Sequence, residues 1–277
     1  MSVVRRPRRR TVLVTAAALA LAACAEEEGT VGPGTGEAGT SYGEDPSQHG
    51  ELLLPDGDPH GVVVVIHGGF WKSAYDLSLG RPLARDLTDH GWVTWNLEYR
   101  RVGEGGGVPA TLDDVATGID HLARMAAARR LPEESLRRVV TLGHSAGGHL
   151  ATWAAGRSAA EVPVTAVVSQ AGVLDLVAAH RAGLGDGAVE AFLGHPPGPE
   201  DAAADPVRQL PLEVPVWCVH AADDDIVPIE QSRDYVARAT AAGGTAELVE
   251  VEGGHFGVID VAGPAWERIR DLVDTVR

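Results

Sequence analysis

Cysteine is almost absent from this chain: there are two among 277 residues, Cys24 and Cys218. That count excludes a disulfide framework and makes a structural zinc site built on thiolates untenable. Long apolar runs are missing as well. The stretch from Val12 to Ala23 is too short for a stable bilayer-spanning helix, which takes roughly 20 apolar residues. Basic residues are scarce, with 23 Lys and Arg against 39 Asp and Glu and a net charge of −16. Several of those arginines crowd into residues 5–10, so the remainder is more acidic still. Such a surface argues against nucleic acid, and against electrostatic docking to anionic lipid. The sequence holds no internal repeat and no glycine-rich phosphate loop, and we find no His, Cys, Asp or Glu grouping with metal-ligand spacing. No metal and no cofactor is expected.

What is present begins with a basic start, Arg5, Arg6, Arg8, Arg9 and Arg10, then the apolar run, then small residues. This is the layout of a secretory signal. Leu21-Ala22-Ala23-Cys24 resembles the lipobox of bacterial lipoproteins, which implies that residues 1–23 are removed and that Cys24 carries lipid. The plainer alternative is an ordinary signal peptide and a secreted, soluble product. Arg9-Arg10-Thr11-Val12-Leu13 also resembles a twin-arginine export motif. A single acyl chain anchors only marginally, so stable attachment needs a multiply acylated cysteine. Residues 24–50 are rich in Gly, Glu, Thr and Ser without apolar periodicity and read as a disordered tether, with a reach on the order of 25–30 Å. Cys218, within Val216–Val219, reads as a buried core thiol.

From residue 51 onward, strand-like and helix-like segments alternate, which predicts a mainly parallel sheet flanked by helices. Expected strands are Leu52–Leu54 (an edge), Gly61–Ile66, Trp92–Leu97, Val139–Leu142, Val164–Ser169, Val216–His220 and Ala246–Val251. Expected helices are Leu77–His90, Pro109–Arg130 and Pro264–Val276. In the long central helix Leu112, Val115, Ile119, Leu122 and Met125 share one face. Residues 175–213 break the alternation and read as a small cap insertion.

Gly143-His144-Ser145-Ala146-Gly147 follows the run Val139–Leu142. Gly-x-Ser-x-Gly between a strand and a helix presents a serine as a nucleophile on a sharp turn. The helix after it aims amide groups and a partial positive charge at Ser145. A serine hydroxyl needs a base, and the base an orienting carboxylate. Downstream, Val216–Val219 leads into Asp223-Asp224-Asp225, and Ala246–Val251 into Gly253-Gly254-His255. Both candidates therefore sit just after the carboxyl ends of strands, where open α/β sheets place their ligands.

On these residues the chain resembles an α/β-hydrolase of the esterase and kynurenine formamidase-like group, over roughly residues 52–276. The matching pieces are His67-Gly68-Gly69-Phe70-Trp71, the elbow, Asp224 with Val227-Pro228, and Gly254-His255. The resemblance implies Ser145 as nucleophile, His255 as base and Asp224 as acid. It also implies an oxyanion hole formed by amides of Gly68, Gly69, Phe70 and Ala146. Ala221 stands where the family has glycine, which leaves Asp223 and Asp225 open as acids. Trp71 either lines a substrate pocket or plugs its loop. His67 is expected to order the loop, His144 and His149 to pack, His220 to brace the acid loop, Asp175 to cap a helix, and Glu98–Arg101 to form a buried ion pair. The implied substrate is a carboxylic ester of a small or medium acyl group, with a formamide or small amide as alternative. A third reading is a lipid-anchored binding protein that kept the fold without activity.

Overall fold

A computed structural model describes residues 39–276. The signal-like segment, Cys24 and the first part of the expected tether lie outside the described residues. The chain enters the sheet earlier than the composition of residues 24–50 implies. Strand β1 (Thr40–Ser41) pairs antiparallel with β2 (His49–Leu53), so the tether reading is corrected for residues 40–50. Tyr42 explains the correction: it is buried, and its hydroxyl donates to the Glu98 carbonyl at 2.7 Å. A single aromatic in a polar stretch has no period to betray it, yet it fixes the segment together with the Gln48 side-chain amide, which donates to Asp114.

β2 in turn pairs antiparallel with β4, and the remaining strands run parallel. These are β3 (Val62–Ile66), β4 (Val93–Leu97), β5 (Val139–His144), β6 (Ala166–Gln170), β7 (Val216–Ala221) and β8 (Ala246–Val251). The order is β1-β2-β4-β3-β5-β6-β7-β8 in one eight-stranded sheet. β3, β4, β5 and β6 are buried at every position, as strands covered on both faces must be. Val62, Val64 and Ile66 face one core and Val63 and Val65 the other.

The helices divide between those faces. α1 (Arg81–Asp89) and α8 (Pro264–Asp274) pack on the Val63 side through Leu83, Leu87, Trp266 and Ile269. α2 (Ala110–Ala127), α3 (Ala146–Ala155) and α6 (Glu230–Ala241) pack on the Val62 side. The helix expected from Leu77 is broken in two. Leu77–Leu79 forms a single 3₁₀ turn capped by Asp76, and α1 starts afresh after Gly80 with Pro82 in its first turn. Because β4 lies on one side of β3 and β5 on the other, connections leave these strands in opposite directions. Open sheets bind ligands outside the carboxyl ends of strands where the order reverses in this way.

Residues 175–213 form α4 (Leu176–Arg181), α5 (Ala188–Leu193) and two 3₁₀ turns. They lie across α3 and the loop after β3. Trp153 donates to the Ala203 carbonyl, and the single lysine of the chain, Lys72, donates to the Gly185 carbonyl at 2.9 Å.

Candidate active site

Ser145 occupies the turn between β5 and α3 with φ 56° and ψ −117°. The glycines around it are required by contact. A Cβ on Gly143 would strike the Gly147 carbonyl, and one on Gly147 would strike the Ile66 carbonyl. A Cβ on Gly68 would lie 3.2 Å from that of Ser145, so the loop after β3 runs directly beside the elbow. The amide of Ser145 donates to the Gln170 carbonyl at 2.8 Å, tying the turn to β6.

His255 sits in α7 (Gly254–Gly257), one short turn beyond β8. The approach uses Gly253 at φ 114° and Gly254 at φ 62°, angles open to glycine and costly to other residues. His255 Nδ1 lies 2.7 Å from Asp224 Oδ2. This carboxylate is held from its other side as well, Oδ1 accepting from the amides of Ile226 at 2.9 Å and Val227 at 2.8 Å. Burial pushes the Asp224 carboxyl up. Hydrogen bonds from His220, His255 and the two amides outweigh that and hold it well below the usual carboxylate range. Of the three adjacent aspartates, Asp224 is therefore the one that meets His255. Asp223 instead accepts from the Gly254 amide, and Asp225 is exposed in the turn.

The elbow and the His255 loop are tied together through His144. Its Nε2 donates to the His255 carbonyl at 2.9 Å and its ring lies 4.5 Å from the His255 ring. Burial, reinforced by the neighbouring His255, lowers the His144 pKa to about 3, so its ring is neutral. Sequence reasoning expected His144 to pack; the bond to His255 had no signal, because 111 residues separate the two.

In the loop after β3, Gly69 has φ 107°, Phe70 φ 54° and Trp71 φ 58°. The amides of Gly68, Gly69 and Phe70 have no acceptor among the described residues, and neither does that of Ala146 at the start of α3. Beneath the loop, His67 bridges the Gly68 carbonyl at 2.8 Å and Glu98 at 2.9 Å, while Tyr99 stacks on the His67 ring. Glu98 also accepts from the amides of Tyr99 and Leu77 and pairs with Arg101. The buried ion pair expected within residues 98–101 therefore extends across to His67.

Trp71 needs correction as a substrate-binding residue. It is 1% exposed, its ring stacks on Phe192 at 4.5 Å and meets His149 edge-on, so it plugs the loop rather than lining a cleft. His149 is fully buried and bonds the Ala204 carbonyl at 2.8 Å; burial lowers its pKa to about 4. Asp175 caps α4 by accepting from the Ala178 amide. Gln231 went unnoticed in the sequence, yet its side chain accepts from the amides of Leu174 and Asp175, both at 2.8 Å, and fixes the start of the cap.

Among the described residues one trio has metal-ligand proximity, His195, Glu200 and Asp201, with ligand atoms within 4.8 Å. It lies on the outside of the cap, and Asp201 already accepts from the Gly198 amide.

The parallel sheet, the serine elbow after β5 and the histidine loop after β8 define an α/β-hydrolase fold. More narrowly, the chain belongs to the BD-FAE family, whose model matches residues 52–238. No curated protein matches it. Similar solved structures include a truncated carbohydrate esterase from gut microbiota, at 20% identity and TM-score 0.74, covering 88% of this chain and 96% of that one. An esterase of the planctomycete Thermogutta terrifontis shares 22% identity with TM-score 0.68, over 87% and 91% of the two chains. Esterase B from Lactobacillus rhamnosis shares 21% identity with TM-score 0.72, over 87% and 86%.

Proposed function

We propose that this protein is a serine hydrolase that cleaves carboxylic esters of small or medium acyl groups through an acyl-enzyme. The observation that carries the reading is the 2.7 Å contact of Asp224 with His255, on a loop that His144 ties to the Ser145 elbow. With Nδ1–H donating to the carboxylate, the Nε2 lone pair of His255 is the free one. Ser145 Oγ attacks the ester carbonyl and His255 Nε2 takes its proton. The tetrahedral oxyanion is met by amides of Ala146 and of Gly68, Gly69 or Phe70. His255 then protonates the leaving alcohol, and water releases the acid by the same steps. Asp224 holds the tautomer and stabilises the imidazolium.

Esters are preferred over formamides because the similar structures are esterases, the Thermogutta enzyme including a form phosphonylated by sarin. The test is a series of p-nitrophenyl esters run beside N-formyl aromatic amines. Ester turnover that vanishes in Ser145→Ala and falls about 10³–10⁴-fold in Asp224→Asn is the expected result. Turnover of the formamides alone would replace the ester reading. An outward-facing, lipid-anchored location through Cys24 belongs to the same proposal. The Cys24→Ala chain is expected in the soluble fraction, and its retention on membranes would contradict the anchor.

A further inference from the structure

Asp224 is touched by a second histidine. His220 is the penultimate residue of β7, is fully buried, and its Nε2 lies 2.9 Å from the Val227 carbonyl and 3.2 Å from Asp224 Oδ2. Both partners are pure acceptors, so this nitrogen carries the proton. Its Nδ1 faces the hydroxyl of the buried Ser232 at 2.7 Å. A hydroxyl can donate to Nδ1 at this distance, an arrangement that leaves Nε2 as the ring's donor to Asp224. One carboxylate oxygen thus accepts from two imidazoles, His255 at 2.7 Å and His220 at 3.2 Å.

We infer that His220 is a positioning residue that acts through Asp224, drawing charge from the shared oxygen and so restraining the basicity of His255. The inference rests on the serine-hydrolase reading above. A hydrogen-bond donor on a carboxylate disperses its charge, and a carboxylate with less charge stabilises an adjacent imidazolium less. Position is secured separately, because Oδ1 is held by the amides of Ile226 and Val227. Removing the His220 donor therefore changes the charge on Oδ2 more than its place. Other titratable groups face this assembly from each packed element. His144 approaches from the elbow, Asp223 from the acid turn, and Cys218 from β7 by way of Ser232. Burial keeps the Cys218 thiol protonated, with a pKa pushed up to about 12. His144 stays neutral, as shown above, so neither contributes a charge near neutrality.

Two polar substitutions separate the roles. His220→Asn places its amide near the Ser232 side and loses reach to Asp224; His220→Gln keeps a donor at the Nε2 position. The measurement is the pH profile of kcat/KM for a p-nitrophenyl ester, whose acid limb reports the base of the free enzyme. In His220→Asn the midpoint is expected to rise by about half to one pH unit, a roughly three- to tenfold change in proton affinity. In His220→Gln it stays near wild type. A merely structural role would lower the melting temperature of both variants and leave the midpoint in place. An unmoved or lowered midpoint in His220→Asn, or an equal shift in His220→Gln, overturns the inference. Should the asparagine variant not fold, histidine-selective nitrogen NMR of the wild-type chain decides. The neutral Nε2–H tautomer for His220 supports the inference, and an Nδ1–H ring overturns it. If Ser145→Ala keeps full activity, the hydrolase reading falls and takes this inference with it. If Ser145→Ala is inactive and the midpoint is fixed, only the inference falls.

Discussion

Ser145 combines φ 56° with ψ −117°, a backbone state that a residue with a Cβ adopts only when its surroundings enforce it. The enforcement comes from Gly143, Gly147 and Gly68, each pressed against carbonyl oxygens of neighbouring strands or turns. Such strain costs on the order of 1–3 kcal/mol. Ser145→Gly relieves it and Ser145→Ala does not, so the glycine variant should be the more stable by about 1 kcal/mol in urea unfolding while both are inactive. Gly147→Ala, by contrast, drives a methyl group into the Ile66 carbonyl. It should cost about 1–3 kcal/mol or more and deplete the soluble protein, which the same unfolding curve reads. Near-equal stability of Ser145→Gly and Ser145→Ala would show the elbow to be unstrained. The pentapeptide was legible in the sequence because these glycines have no substitute. The bond from His144 to the His255 carbonyl was not, because it exists only once β5 and β8 share a sheet.

At the scale of elements, the central strands declared themselves as β-branched runs, and their ends fell close to the expected positions. β1 and the approach to β2 did not, since Tyr42 carries that segment through a tertiary hydrogen bond. The cap was visible only as a break in periodicity. Its attachment depends on scattered polar groups, Gln231, Lys72 and Asp205, that no pattern announces. Asp205 is 1% exposed and accepts from the Leu176 amide at the start of α4. Burial raises its pKa to about 6, against the opposing pull of that amide. A carboxyl whose folded pKa is raised takes up its proton in the folded state first, so stability grows as pH falls from about 6 towards 4. Above that window the buried charge is a cost. Asp205→Asn should therefore stabilise the protein by about 1–3 kcal/mol at pH 7.5, and the advantage should close near pH 4. Thermal melts at the two pH values test this, and a variant less stable at pH 7.5 would contradict it.

For the whole molecule, the same linkage gives an acid sensitivity that starts well above the carboxylate range. Burial depresses His144 to about 3 and His149 to about 4. The unfolded chain protonates both near pH 6.5 and the folded chain does not, so each contributes stability that is present above 6.5 and lost as pH falls. Asp205 opposes one of the two below pH 6. For these three groups together the net is about one proton, or roughly 1.4 kcal/mol per pH unit between 6 and 4. Urea midpoints should fall steadily over that interval, whereas a flat profile would mean that both histidines are reached by protons in the folded state. The positions of the proposed site residues were legible in the sequence, because Ser145, Asp224 and His255 each follow a strand. The placement of Trp71 was not, since burial against Phe192 depends on where the cap lands. The account stands on Ser145 being a nucleophile activated by His255. The most direct test is intact-mass measurement after exposure to a fluorophosphonate, followed by peptide mapping. One covalent adduct on Ser145, absent from Ser145→Ala and slowed in His255→Ala, is the predicted result. An adduct that persists in Ser145→Ala, or a wild-type chain that takes up none, would contradict it.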